Sequence, residues 1–323
     1  MIRRIAVLAA LLLAAPATPS ARANDTMAVG AAGGLVFVKS ADVAMETEDL
    51  WISTEQVRVR YAFRNRGKAA VDALLAFPLP VFDHAAERVL DPDVQTTTGD
   101  FVEFTVTVDG KPVQPRLEMR AWLGETEVTA ALAEAGLPLS RFVGGPRLDA
   151  AIEGLPEATR QKLAAAGILG PGEMGDFDPQ WAVRSTYHWP QRFAPGRRTI
   201  IEHRYKPVVG SNWLLREQVQ AGTEWAEYCI EPALRTALMT RLGPNDVARV
   251  LLVDYVLSTG ANWAGPIGRF RLTIDKGTPG RLLSTCLEGL KKTGATTWML
   301  ERRNFTPESD LRLMIIEEPP PAE

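Results

Sequence analysis

The segment Val57-Arg58-Val59-Arg60-Tyr61-Ala62-Phe63 repeats with a period of two. Val57, Val59, Tyr61 and Phe63 fall on one face of an extended chain, and Arg58 and Arg60 on the other. β-Branched and aromatic residues at that spacing specify a half-buried strand, because successive side chains of a strand point to opposite faces. Such a strand is stable only when another layer covers its apolar face.

The same texture recurs along residues 35–122. Asn65-Arg66-Gly67-Lys68 is turn chemistry. The run Val71 to Phe77 ends in Phe77-Pro78-Leu79-Pro80, whose prolines cannot donate to a ladder. Phe101 to Val108 alternates again, and Asp109-Gly110 supplies a hairpin turn into Val113 to Leu123. Pro112 and Pro115 mark that last run as an edge strand. From Gly124 the texture changes. Thr126 to Gly136 and Pro156 to Gly167 are rich in Ala, Leu and Glu and end on glycine, as helices do.

Strands resume at Trp181. Trp181 to Trp189 and Arg197 to Tyr205 flank Pro190 to Gly196 and are expected to pair as a hairpin. Glu231 to Leu242 reads as a helix, with Pro232 in its first turn and Gly243-Pro244 as its stop. Five further strands are expected, near Val247 to Ser258, Phe270 to Asp275, Leu282 to Leu287, Thr296 to Arg302 and Leu311 to Ile316. The patterns Gly210-Ser211-Asn212-Trp213 and Gly260-Ala261-Asn262-Trp263 echo each other, too briefly to define a repeat.

The fold expected is therefore mainly β: two β-sandwich-like units, a small helical insertion, and a helix in the linker. The divisions are a first unit over 24–205 with its insertion at about 125–170, a linker over 206–244, a second unit over 245–317, and a disordered tail over 318–323. The competing arrangement is one continuous sheet system.

The chain start bears on the compartment. Arg3 and Arg4, the apolar run Ile5 to Ala15, and Ala21-Arg22-Ala23 read as a secretory signal peptide over 1–23. The run is too short to span a bilayer, which takes about 20 apolar residues. The expectation is a periplasmic or secreted protein cleaved near Ala23, with no transmembrane segment in the mature chain. Cleavage there leaves 300 residues with 33 basic and 39 acidic side chains. No run of Lys or Arg stands out, which argues against nucleic acid and anionic membranes as partners. The two cysteines, Cys229 and Cys286, are expected to pair, since an oxidising compartment permits the bond. Closing that loop stabilises by roughly 4 kcal/mol in the chain-entropy model.

Several elements occur in an order that resembles a known family. They include Gly33-Gly34-Leu35-Val36-Phe37, Glu48-Asp49-Leu50, the strand Val57 to Phe63 with Asn65, and Phe77-Pro78-Leu79-Pro80. Further on come Tyr187-His188-Trp189, His203-Arg204-Tyr205, Trp263 with Gly265-Pro266-Ile267-Gly268, and Asp275-Lys276-Gly277. The order resembles the exported bacterial domain-of-unknown-function family 4424 over nearly the whole mature chain. The resemblance implies a periplasmic or secreted bacterial protein, and supplies no activity and no catalytic residues. About 60 residues of the first part are also similar to the vault and inter-alpha-trypsin module, a β-sandwich used for binding and assembly; that is a hint of fold alone.

No nucleophile elbow, zinc-protease helix, phosphate loop or dinucleotide fingerprint occurs. Nothing points to a cofactor or a bound metal. His84, His188 and His203 are the only histidines, and His84 lies in a different segment from the others. His188 and His203 on one hairpin, with Glu202, would form a polar cluster able to transfer a proton; the plainer reading is two strand histidines bonded to backbone or solvent. Asp91-Pro92-Asp93 and Asp176-Phe177-Asp178 read as turns. Of the eight tryptophans, Trp181 and Trp298 are expected in the core, whereas Asn212-Trp213 and Asn262-Trp263 are candidate ligand-binding pairs. Trp263 is also expected to dock on the first unit. The leading functional expectation is a non-enzymatic binding or assembly protein of the envelope, with a protein, glycan or cell-wall partner. The alternative is a hydrolase or lyase acting on an envelope polymer.

Overall fold

The computed structural model describes residues 24–31, 34–85, 89–90, 102–140, 148–172, 176–221, 225–243 and 246–318. The expected signal peptide, Asp91-Pro92-Asp93 and nearly all of the acidic tail lie outside these residues. Among the described residues the fold is mainly β, and three sheets carry the core.

An eight-stranded sheet forms the base. Its central strands are Ile267–Asp275, Val43–Ile52, Val57–Asn65 and Arg198–Tyr205, adjacent in that order. The alternation around Val57 works as the sequence requires. Val57, Val59, Tyr61 and Phe63 are buried, while Arg58 and Arg60 face outward. Two smaller sheets cover the apolar face side by side. Leu75, Phe77, Tyr187, Trp189 and Phe193 of a seven-stranded sheet cover one end. Leu251, Val253, Tyr255, Leu313 and Ile315 of a five-stranded sheet cover the other. One continuous apolar core results.

The five-stranded sheet is buried on both faces. Leu214, Val250, Leu252, Met314 and Ile316 point away from the sandwich, where Val219, Tyr228 and Leu238 of the helical segment cover them. The helix Pro232–Arg241 begins with its proline in the first turn, as expected. Cys229, just before it, is bonded to Cys286, with Cα atoms 4.9 Å apart. The helical insertion contains Thr129–Glu134 and Glu157–Ala165, with Gly136 and Gly167 at positive φ after them, and a further helix, Leu148–Glu153. Leu132, Ile152 and Leu163 pack on Ala121, Trp181 and Val183, so the insertion caps the outer end of the seven-stranded sheet.

Four expectations need correction. The strands Ala182–Phe193 and Arg198–Tyr205 do not form a hairpin: the first runs on through Pro190 to pair with Val71–Pro78, and the second pairs with Val57–Asn65 in the opposing sheet. The chain thus arches between layers. Pro112 does lie in an edge strand, Lys111–Val113 at the end of the eight-stranded sheet, but the run is not one strand: the chain crosses to the other sheet between Val113 and Arg116, and Arg116–Leu123 then pairs with Ala182–Phe193 on one side and, only at Trp122 and Leu123, with Thr126–Glu127 on the other. The segment 206–244 is more than a linker, since Val209–Leu215 pairs with Val247–Tyr255 along its whole length. Finally, the stretches 24–205 and 245–317 do not keep their strands apart. Ile267–Asp275 runs parallel to Val43–Ile52, with Phe270 beside Glu48 and Leu272 beside Leu50. The sandwich-like packing forms, but one sheet is built from both stretches.

Candidate functional site

Residues 201–205 show how one strand serves two surfaces. Ile201, His203 and Tyr205 point into the sandwich, whereas Glu202 and Arg204 point out of it. His203 is surrounded by the rings of Tyr61, Phe77, Phe104 and Trp189, with centroids 5.0–5.5 Å away. Its Nε2 lies 3.1 Å from Oδ2 of Asp25, and both side chains are shut off from solvent. Glu48, also fully buried, accepts a 3.0 Å hydrogen bond from Nδ2 of Asn24. Burial pushes the Glu48 carboxyl up to about 8; the Asn24 bond opposes the rise, and the neighbouring Asp25 and Asp49 charges add to it. Burial likewise raises the Asp25 carboxyl, against the opposing pull of His203. Above them the Tyr61 and Tyr255 hydroxyls meet at 3.1 Å and tie the base sheet to the five-stranded sheet.

His188, Glu202 and His203 are not brought together. His188 lies between the inward-facing Tyr187 and Trp189 and so takes the other face of its sheet. Glu202 sits on the outer face of the base sheet, 3.4 Å from Arg60. His84 packs on Trp181 in the insertion. Among the described residues, no three His, Cys, Asp or Glu side chains form a group that could hold a metal ion.

The candidate ligand-binding pairs separate likewise. Asn262 and Trp263 are buried, with Asn262 Nδ2 donating to Thr26 Oγ1 at 3.1 Å and Trp263 Nε1 to the Asp25 carbonyl at 2.7 Å. The Trp263 ring lies 4.4 Å from Phe63, so it docks on the first stretch of chain. Trp213 is 56% exposed, and the Asn212 side chain accepts the Trp213 backbone N–H. Trp181 is fully buried and Trp298 only half-buried.

The outer face of the base sheet carries what strand-by-strand reading missed. Register places Thr273 beside Trp51, Trp51 beside Arg58, Arg58 beside Arg204, and Arg204 beside Thr105. At a strand spacing near 4.8 Å this row spans about 19 Å. The adjacent row reads Arg271, Asp49, Arg60, Glu202 and Thr107. That second row alternates in sign and neutralises itself: Arg271 meets Asp49 and Glu301, and Arg60 meets Glu202. The first row does not. Arg58 lies 4.0 Å over the Trp51 ring, and among the described residues neither Arg58 nor Arg204 has a carboxylate partner. Like charges directly opposite in a sheet destabilise it, so the arrangement favours an anion laid across the pair. A groove of about 560 Å³ passes over both rows, over Trp51, Arg58 and Arg204 of the first and over the paired Asp49, Arg60 and Glu202 of the second. A second cleft, of about 340 Å³, lies between Leu79-Pro80-Val81 and the five-stranded sheet, where Leu252 and Arg312 line it.

The sequence profile of a family described as a domain of unknown function, DUF4424, matches residues 23–314. Among solved structures, one from Legionella pneumophila subsp. pneumophila, provisionally described as a nutrient binding protein, is similar to this chain. It is identical at 18% of positions with a TM-score of 0.47, over 91% of this chain and 70% of that one. No curated protein matches the sequence.

Proposed function

We propose that this chain, which belongs to the DUF4424 family, is an exported, non-catalytic binding protein that seats an acidic glycan of the envelope across the outer face of its base sheet. The carrying observation is the Arg58–Arg204 pair, set side by side with no carboxylate partner among the described residues and flanked by Trp51 and Thr105. Guanidinium groups recognise carboxylate and phosphate oxygens through paired N–H donors. Hydroxyls and an indole beside them suit the polar and apolar patches of a sugar chain.

Support for export comes from the charged and apolar start, the Ala21-Arg22-Ala23 site and the Cys229–Cys286 bond, which belongs to oxidising compartments. Support for a non-catalytic role is the dispersal of His188, Glu202 and His203 over separate surfaces, together with the closure of the His203–Asp25 pair from solvent, where a polymer does not reach it.

Titration of the purified protein with a uronic-acid polysaccharide and with a neutral glucan of matched length tests the proposal. Binding is expected for the acidic polymer only, weakening as salt rises. Replacing both Arg58 and Arg204 with Ala should weaken it about 100-fold, the equivalent of roughly 3 kcal/mol. Equal binding of both polymers, or an unaffected double variant, would refute it.

A further inference from the structure

Asn24, Asp25 and Thr26 are fully buried inside the sandwich. The start of a domain is normally a surface feature unless it is tied down. Here it is tied at each residue. Thr259 Oγ1 donates to the Asn24 carbonyl at 2.7 Å, Trp263 Nε1 to the Asp25 carbonyl, and Asn262 Nδ2 to Thr26 Oγ1.

Two carboxylates share this interior, and their hydrogen bonds are incomplete. Asn24 Nδ2 serves one oxygen of Glu48, and His203 serves one oxygen of Asp25. Asp25 Oδ1 and Glu48 Oε1 are buried with no hydrogen-bond partner among the described residues. The arginines nearest in sequence register, Arg269 and Arg271, pair with Asp49 on the opposite face of the sheet. Buried carboxylate oxygens require a donor or a cation.

We infer that Asp25 and Glu48 form a receptor for a primary ammonium group, and that its occupant is the α-ammonium of Asn24 released by cleavage after Ala23. The inference rests on the export reading above. Hydrolysis of the Ala23–Asn24 bond by a processing peptidase consumes one water. The Ala23 carbonyl carbon takes the hydroxyl, and the Asn24 nitrogen takes a hydrogen and then a further proton from solvent. An amide N–H offers one donor and no charge, whereas the ammonium offers three donors and a positive charge among two carboxylates. An unperturbed α-amine titrates near 8, so it is charged at neutral pH even before the carboxylates favour it. Cleavage thereby completes the core, and the exported chain differs in stability from its precursor.

The intact mass of the exported protein fixes where it starts. A chain prepared to begin at Asn24 is then treated with an amine-acylating reagent, folded and in denaturant. The α-amine should react at least about 100-fold more slowly in the folded state, as buried groups do. The same chain should melt roughly 10 °C above one that retains Ala23. Glu48→Gln should shrink that difference, because it removes half of the receptor. An exported chain that starts elsewhere overturns the cleavage reading. A freely labelled α-amine on a chain that does start at Asn24, or equal melting with and without Ala23, overturns the receptor; both comparisons use the natural side chains and need no variant to fold.

Discussion

Glu48 gives the interior a measurable pH signature. It faces Asn24 and Asp25, just before the strand Thr26–Ala31, and Asp49 on its own strand, with the Tyr61 and Tyr255 hydroxyls and His203 in the same interior. In a chain that keeps residue 23, its carboxyl ionises near 8 when folded and near 4.5 when unfolded. Below pH 4.5 both states hold the proton. Between 4.5 and 8 only the unfolded state releases it, so stability falls as pH rises through that window and levels off above it. Asp25, also raised by burial, adds to the slope in the same direction. A chain beginning at Asn24 should lose that slope, because an adjacent ammonium holds the carboxylates charged. Urea melts of the two chains across pH 4 to pH 9 check this, and parallel curves would contradict it. Trp263 is the other decisive residue. Its ring packs on Phe63 and Phe193 and its N–H is bonded, so Trp263→Ala should cost roughly 3–5 kcal/mol. That residue was legible as a docking group from its setting among Gly260, Gly265 and Pro266, but not as the partner of Asp25, which lies at the other end of the chain.

At the scale of the element, the strands were readable and their partners were not. Period-two alternation states which side chains share a face; it does not state which sheet the strand joins. Ala182–Phe193 and Arg198–Tyr205 have the composition and spacing of a hairpin, yet Ala194–Arg197 arches between layers and takes His188 and His203 to different sheets. Val209–Leu215 carries no strand pattern of its own, because Gly210, Ser211 and Asn212 are poor strand formers that pairing with Val247–Tyr255 holds in place. The arginine row was invisible for the same reason: Arg58 and Arg204 become neighbours only through strand pairing. Their opposition predicts a trade-off. Arg204→Glu places a carboxylate beside Arg58 and should stabilise the free protein by about 0.5 kcal/mol while abolishing binding of an acidic polymer. Thermal melts beside titrations test it, and a destabilised variant would count against an unrelieved repulsion.

For the whole molecule, the parallel pairing of Ile267–Asp275 with Val43–Ile52 matters most. A sheet shared between the two halves of the chain cannot unfold at one end and persist at the other, so a single thermal transition is expected, in wild type and in Trp263→Ala alike. A two-step melt, or a stable fragment released by cleavage near Ser211 after reduction of the disulfide, would contradict a shared sheet. The same sheet presents its outer face, with the Trp51, Arg58, Arg204 and Thr105 row, as one continuous surface on which an acidic chain would lie. NMR of the arginine Nε–H groups during titration with an acidic oligosaccharide tests it most directly. Shifts at Arg58 and Arg204 should saturate together while Arg312, in the other cleft, stays unmoved; shifts at Arg312 with Arg58 and Arg204 silent would place the acidic chain elsewhere and refute binding on this face.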